Sequence, residues 1–260
     1  MQHLELKTDG TIAWLVMGRA DKHAALNPRL MLDISDGLDE VHQDRRIRAV
    51  VLCSEGSSFC SGVDLSVLQA IRELPEQEQL QQWFEYWRQL AEVCEMLLRF
   101  PKPIIAAVDG PAIGAGFALT LACDLIVASE RASFSAGAVQ RGLVGGITAA
   151  LLSFRLGTAL AARMSLTGRP LTAIQAEQAG LLCQQPVSAD EIDEVAIHWA
   201  NQTARGFPQA VQATKRLINE SIGETMLSQL AAAAADSATA CTTEAAGEGI
   251  DAFLKKSRNE

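Results

Sequence analysis

The stretch Ser58-Phe59-Cys60-Ser61-Gly62-Val63-Asp64-Leu65 follows closely on a short apolar run at residues 49–53. It places small residues between that strand pattern and a helical pattern opening at Leu65. About fifty residues on, Gly110-Pro111-Ala112-Ile113-Gly114-Ala115-Gly116-Phe117 does the same after the apolar run 104–108. A helix start leaves backbone N–H groups without intrahelical acceptors, so each turn can present donors to an anion. Aimed at one point, two such turns make an oxyanion hole.

Working outward, residues 3–7 and 12–17 read as strands joined by the hairpin signal Thr8-Asp9-Gly10. Pro28 suits the first turn of a helix, and Leu30, Met31, Ile34, Leu38 and Val41 repeat at helical spacing. A helix over 65–73 is broken by Pro75, and a longer one over 76–100 ends at Pro101-Lys102-Pro103. Trp83, Tyr86, Trp87 and Leu90 lie on its apolar face, where core packing is the simpler reading. The glycine turn leads to a short helix over 117–123 and a strand over 125–128. Strand, turn, helix and strand at this spacing is α/β organisation with right-handed crossovers. From Thr148 onward the pattern is mostly helical, and the alanines at 231–235 read as close helix packing.

The 260-residue chain carries a formal charge of −9, which argues against a nucleic-acid groove built from clustered cations. A chain of this length buries about three quarters of its unfolded surface and needs neither disulfide nor metal to hold a core. Its six cysteines show no C-x-x-C pair and read as buried small hydrophobes in a reducing, cytoplasmic setting. No run is long enough to span a bilayer, and residues 1–8 have no apolar signal core. The four histidines are scattered, with no metal-ligand spacing.

Gly110, Gly114 and Gly116 invite a nucleotide-binding reading, which fails on residues. A phosphate loop ends in Gly-Lys-Ser/Thr, and Phe117 follows Gly116 here; a dinucleotide fingerprint needs a third glycine where Leu119 stands. No G-x-S-x-G elbow supports a serine hydrolase, which stays a remote alternative. The glycines are also open to a purely structural reading, close packing of strand on helix.

Six segments in register resemble the enoyl-CoA hydratase/isomerase (crotonase) superfamily over nearly the whole chain. They are Arg19-x-x-Lys22-x-x-x-Leu26-Asn27; Val50-Val51-Leu52 running into Phe59-Cys60-Ser61-Gly62-Val63-Asp64-Leu65; Ile105-Ala106-Ala107-Val108-Asp109-Gly110-Pro111-Ala112-x-Gly114-Ala115-Gly116; Ala122-Cys123-Asp124; Leu166-Thr167-Gly168 with Ala176-Glu177-Gln178-Ala179-Gly180-Leu181; and Glu248-Gly249-Ile250-Asp251-Ala252-Phe253. The resemblance implies an α/β fold, a crotonase-like ββα spiral core with a helical C-terminal oligomerisation region. The core is expected over 1–186, and trimerisation and pocket closure over 187–260.

The resemblance further implies an acyl-CoA thioester substrate, with coenzyme A as part of it and no tightly bound cofactor or metal. By motif, the oxyanion donors are the backbone N–H groups of Val63 and Ala115; alanine replaces a frequent glycine but keeps the donor. The CoA-contacting positions are Lys22, His23, Ala24, Ala25, Ser61, Gly62, Asp64, Leu65 and Gly114. Arg19, Lys22, Lys255 and Lys256 are candidates for the CoA phosphates, with solvated surface charge as the competing reading. A homotrimer, or a hexamer of paired trimers, is the implied assembly, with neither nucleic acid nor membrane as partner.

Hydratases of this family use two glutamates, and Ala118 and Ala138 stand at those positions. The later stretch Gly142-Leu143-Val144-Gly145-Gly146 holds no carboxylate either. Asp64 reads as a helix cap, and Asp109 and Asp124 as structural. Gln140, Arg141 and the polar residues Glu85, Tyr86, Glu92 and Glu95 are the remaining sources of a replacement group, none assigned a role. The expectation is an acyl-CoA enzyme of the lyase or isomerase class whose chemistry is not standard hydration. The alternatives are a hydratase or double-bond isomerase with a displaced acid, and a non-catalytic acyl-CoA-binding protein.

Overall fold

The computed structural model describes residues 1–257, and for Ile222, Lys256 and Ser257 the backbone alone. Leu4–Asp9 (β1) and Ile12–Met17 (β2) pair antiparallel, with Asp9 opposite Ile12. Gly10 makes the reversal at φ +57°, a conformation that costs an L-residue side-chain clashes. Ala49–Ser54 (β3) joins β2 in parallel, and Ile104–Val108 (β4) joins β3 in parallel. The short strand Pro111–Ile113 (β5) leaves this sheet, and Leu125–Ala128 (β6) returns to it beside β4. Ser133–Ser135 (β7) and Leu171–Thr172 (β8) complete a second, three-stranded sheet on β5.

Alternation along the central strands feeds two cores. Ala13, Leu15, Val50, Leu52, Ile104 and Ala106 face the main core. Ile12, Ala49, Val51, Ile105, Ala107 and Val127 face a smaller one on the other side. Successive strand side chains point to opposite faces, so parallel strands covered twice must be apolar throughout.

Pro28–Gln43 (α1) starts under an Asn27 cap, whose side chain accepts from the Leu30 amide at 2.8 Å. Leu65–Arg72 (α2) and Glu76–Arg99 (α3) follow β3. Ala115–Ala122 (α4) begins two residues earlier than periodicity predicts, because Gly114 at φ +53° turns the chain before it. Then come Gly146–Leu156 (α5), Thr158–Thr167 (α6) and Ala173–Gln178 (α7). Ile192–Ala204 (α8) covers the smaller core through Ile192, Ala196 and Ala200. Pro208–Arg216 (α9) runs into a π-helical turn, Leu217–Ile222, ahead of Glu224–Ala240 (α10) and Glu244–Ser257 (α11).

The last two helices share the main core: Met226, Leu230, Ala233, Ala234, Ala246 and Ile250 belong to it. Ala233 lies 3.0 Å from where a side chain on Gly146 would begin, so the alanine run does serve close helix packing. β5, β7, β8 and the π-helical turn are not anticipated by sequence periodicity; at two or three residues, the strands are too short to show a period.

Beneath this frame a buried ion pair ties α9 to the sheet. Lys215 Nζ lies 2.7 Å from Asp124 and donates to the Leu97 and Lys102 carbonyls. Burial pulls Lys215 below the usual lysine range, against the opposing pull of Asp124. Asp124 also accepts from the Ile104 amide at 2.8 Å, confirming its structural reading.

Candidate functional site

Glycine permits the two turns to interlock. The Cys60 amide donates to the Pro111 carbonyl at 3.1 Å, and the Ile113 amide donates back to Cys60 at 2.9 Å. Gly62 sits at φ +95°, and a side chain on it would begin 2.7 Å from the Ile113 carbonyl oxygen and 3.5 Å from the Ala115 nitrogen. Gly116 is tighter still, since a Cβ there would lie 2.3 Å from the Cys60 carbonyl oxygen. The other flank of the first turn is held by Leu26, whose amide donates to Gly62 at 2.8 Å and whose carbonyl accepts from Asp64 at 2.9 Å.

These bonds use the Gly114 and Asp64 amides but not those of Val63 and Ala115, nor the helix-start amides of Leu65, Gly116 and Phe117. The Gly114 amide donates to Ser135, and the Asp64 amide to Leu26, but neither the Val63 nor the Ala115 N–H has a hydrogen-bond acceptor among the described residues. Both residues line the same cavity, of about 360 Å³. An unpaired amide is costly unless water or a ligand accepts from it, so two on one cavity define an acceptor site. Thr148 supports the second turn by donating to the Gly114 carbonyl at 3.0 Å.

One wall of the cavity comes from the 3-10 turn Ala20–Lys22 and the residues just after it. Asp21, Lys22, His23 and Ala25 line it, joined by Ser61, Gly62, Asp64, Leu65 and Gly114 from the two turns. Arg19, His23 and Ala24 all take positive φ, at 66°, 52° and 51°. That strain is held from within by Arg19, which donates to the Ala25 carbonyl and, at 2.7 Å, to Asp64. Arg19 is therefore an internal strut, its side chain 13% exposed, rather than the phosphate contact or solvated charge expected of it. Ala24 is fully buried and does not reach the cavity, because the same turn folds it inward under Cys60. Lys22 lines the cavity, Lys255 is exposed on α11, and the Lys256 side chain lies outside the described residues.

The facing wall is apolar: Ala138, Leu143, Val144, Gly145 and Ile147, with Arg141 as its one charged member. Trp87 and Leu90 of α3 and Phe253 and Leu254 of α11 close the sides. Trp83 and Tyr86 are core residues as periodicity suggests, Tyr86 donating to the Leu26 carbonyl at 2.7 Å. Trp87 is the exception: it is 5% exposed, and that remnant faces the cavity while its indole N–H reaches Cys241.

Two carboxylates, Asp21 and Asp64, lie on the cavity lining. Asp64 caps α2, taking the Ser66 hydroxyl at 2.6 Å and its amide at 3.0 Å while Arg19 takes its other oxygen. Burial opposes its ionisation, but those bonds to Ser66 and Arg19 outweigh it and hold the carboxyl below the usual carboxylate range. Three donors already hold its oxygens and favour the charged form, so it is a poor proton acceptor. Glu85, Glu92 and Glu95 are engaged on the outer face of α3 with Gln82, Arg88 and Arg99. Gln140 is turned away, donating to the Thr167 carbonyl at 3.2 Å. Ala118 is fully buried in α4, off the cavity, whereas Ala138 is on its wall.

Among the described residues no three His, Cys, Asp or Glu side chains gather into a metal-sized group. No described helix is long and apolar enough to cross a membrane. Cys60 and Cys94, both buried, have their thiols pushed up to about 12 by desolvation, far from nucleophilic range.

The family model for enoyl-CoA hydratase/isomerase matches residues 7–260. A 2,3-dehydroadipyl-CoA hydratase of Escherichia coli K12 is 32% identical over 257 residues, 98% of this chain and 97% of the relative. Among solved structures, an enoyl-CoA hydratase/isomerase from Pseudoalteromonas atlantica T6c superposes with a TM-score of 0.84 at 29% identity, over 98% of this chain and 97% of that one. One from Mycobacterium paratuberculosis gives 0.85 at 25% identity, over 96% and 97%. The interlocked turns, the open amides and these likenesses converge: the chain belongs to the enoyl-CoA hydratase/isomerase family, with its crotonase fold.

Proposed function

We propose that this chain binds an acyl-CoA thioester with the thioester oxygen between the amides of Val63 and Ala115, and turns it over through an enolate without standard hydratase acid–base chemistry. The observation that carries this is one amide from each turn without an acceptor among the described residues, on a cavity whose facing wall has no described carboxylate. Each such donor contributes about 2.7–4 kcal/mol to a transition state that places charge on oxygen. Lys22, His23, Ala25, Ser61, Gly62, Asp64, Leu65 and Gly114 line the CoA side, and no cofactor is needed beyond the CoA of the substrate itself.

General acid–base groups each contribute roughly 10²–10⁴-fold, and Ala118 and Ala138 supply neither. Reactions with an internal trigger suit such a site. In decarboxylation the bond from the α-carbon to the carboxylate breaks, its electron pair passes into the thioester carbonyl, and the oxyanion rests on the two amides. Carbon dioxide leaves, and water returns a proton to the α-carbon. The 187–260 region is the natural trimer or hexamer contact, and the reduced thiols suit the cytoplasm.

The activity named for the Escherichia coli relative favours a second reading, hydration by an acid placed elsewhere. Incubation with a panel of 2-enoyl-CoA and 2-carboxyacyl-CoA thioesters separates the two. Carbon dioxide release with negligible hydration supports the enolate reading, and rapid hydration throughout the enoyl panel overturns it. Tight binding with no product from either panel assigns the chain to acyl-CoA binding alone.

A further inference from the structure

The apolar wall of the cavity carries one cation that nothing in the described chain satisfies. Arg141 is half-buried, and its guanidinium lies 5.2 Å from the centre of the Phe253 ring. It makes no hydrogen bond or ion pair with any described residue. The other inward-turned arginines all have acceptors: Arg19 has Asp64, Arg48 the Gly206 carbonyl, Arg72 Asp251, and Arg155 the Leu121 and Cys123 carbonyls. A guanidinium has five N–H donors and no way to neutralise itself, so one facing a cavity needs acceptors from water or, once a ligand displaces that water, from the ligand.

Its position is held by the backbone on both sides. A side chain on Gly142 would begin 2.2 Å from the Ala245 carbonyl oxygen, and one on Gly249 would begin 1.9 Å from that of Arg141. The loop and α11 are thus clamped through two glycines, and Phe253 on the same helix stacks on the guanidinium. A donor fixed before the ligand arrives loses little freedom on binding it. Ala138, Leu143, Val144 and Ile147 give that wall an apolar lining, and a bound acyl chain covering it would strengthen a charge-assisted bond there and penalise an unpaired charge. Lys22 and His23 stand on the other wall, built from the loop after Arg19.

We propose that Arg141 is a specificity residue for acyl-CoA thioesters that carry a carboxylate on the acyl chain. This rests on the acyl-CoA reading of the site and names its substrate class. The planar fork matches a carboxylate, and no other described cation lines that wall.

The test compares binding of succinyl-, glutaryl- and adipoyl-CoA with that of their methyl esters and of free CoA, by calorimetry, for the wild-type protein, Arg141→Met and Arg141→Lys. The wild type should prefer at least one carboxylate over its ester by about tenfold or more. Arg141→Met should abolish that preference while keeping the affinity for esters and free CoA, and Arg141→Lys should restore part of it. A wild type that binds esters as well as carboxylates overturns the proposal and leaves acyl-CoA binding standing. An Arg141→Met variant that loses free CoA equally assigns the arginine to the CoA phosphates and overturns it as well. Failure to bind any thioester overturns both readings.

Discussion

Gly116 lies against Cys60 so closely that a methyl group on it would sit 2.3 Å from the Cys60 carbonyl oxygen and 2.6 Å from its Cβ. Backbone cannot yield there without separating the two turns, and with them the Val63 and Ala115 amides. Gly116→Ala should therefore cost about 1–3 kcal/mol of stability through overpacking. Where the fold survives, turnover should fall about 10²-fold or more, the effect of misplacing an oxyanion donor. Urea unfolding and steady-state kinetics on the same preparation check both, and an unchanged rate with unchanged stability would contradict the interlock.

Ala138 faces the cavity and Ala118 does not. Ala138→Glu should add a carboxyl to the reaction space and raise hydration of 2-enoyl-CoA by about 10²-fold. Ala118→Glu should instead bury a carboxyl in a packed helix and lower stability by about 3 kcal/mol. A coupled spectrophotometric assay of hydration, paired with thermal unfolding of both variants, distinguishes them.

Asp64 and Arg19 form an ion pair of 2.7 Å with side chains 9% and 13% exposed. Because the folded carboxyl lies below its unfolded value, its stabilisation is complete above the unfolded value near 4. It fades as pH falls through the folded value. Asp64→Asn should lose about 3 kcal/mol at pH 7, since it strands Arg19 and weakens the α2 cap. The deficit relative to wild type should shrink downward from about pH 4, read from urea midpoints across the acid range. A deficit independent of pH would assign the loss to packing alone.

Lys215→Met removes the cation that Asp124 faces and leaves the Leu97 and Lys102 carbonyls without their donor. Breaking a buried pair from one side costs about 3–5 kcal/mol. Guanidinium unfolding should show that loss, while affinity for acyl-CoA at low temperature should stay unchanged, since Lys215 is not on the cavity.

The strands of the central sheet, the caps at Asn27 and Asp64, and the two glycine turns follow from local sequence. Apolar runs must be buried, Asn and Asp satisfy helix-start amides, and only glycine tolerates Gly62 at φ +95°. The family likeness of those turns likewise lies in motif order along the chain. Arg19 shows the limit. Beside Lys22 in the sequence it reads as another surface or phosphate-binding cation, and only folding carries Asp64, 45 residues away, onto its guanidinium.

The sequence by itself therefore determined the fold class, the two turns and the absence of glutamate at Ala118 and Ala138, because these are properties of residue type and local spacing. Tertiary structure decided what the opening turn can do. It brought Ala112 beside Cys60, left the Val63 and Ala115 amides on one cavity without acceptors among the described residues, buried Ala24, and exposed Trp87 and Arg141 to the same space. Helix starts and motif order already point to the Val63 and Ala115 donors, but whether they stay without an acceptor and face one cavity depends on which distant backbone satisfies which amide.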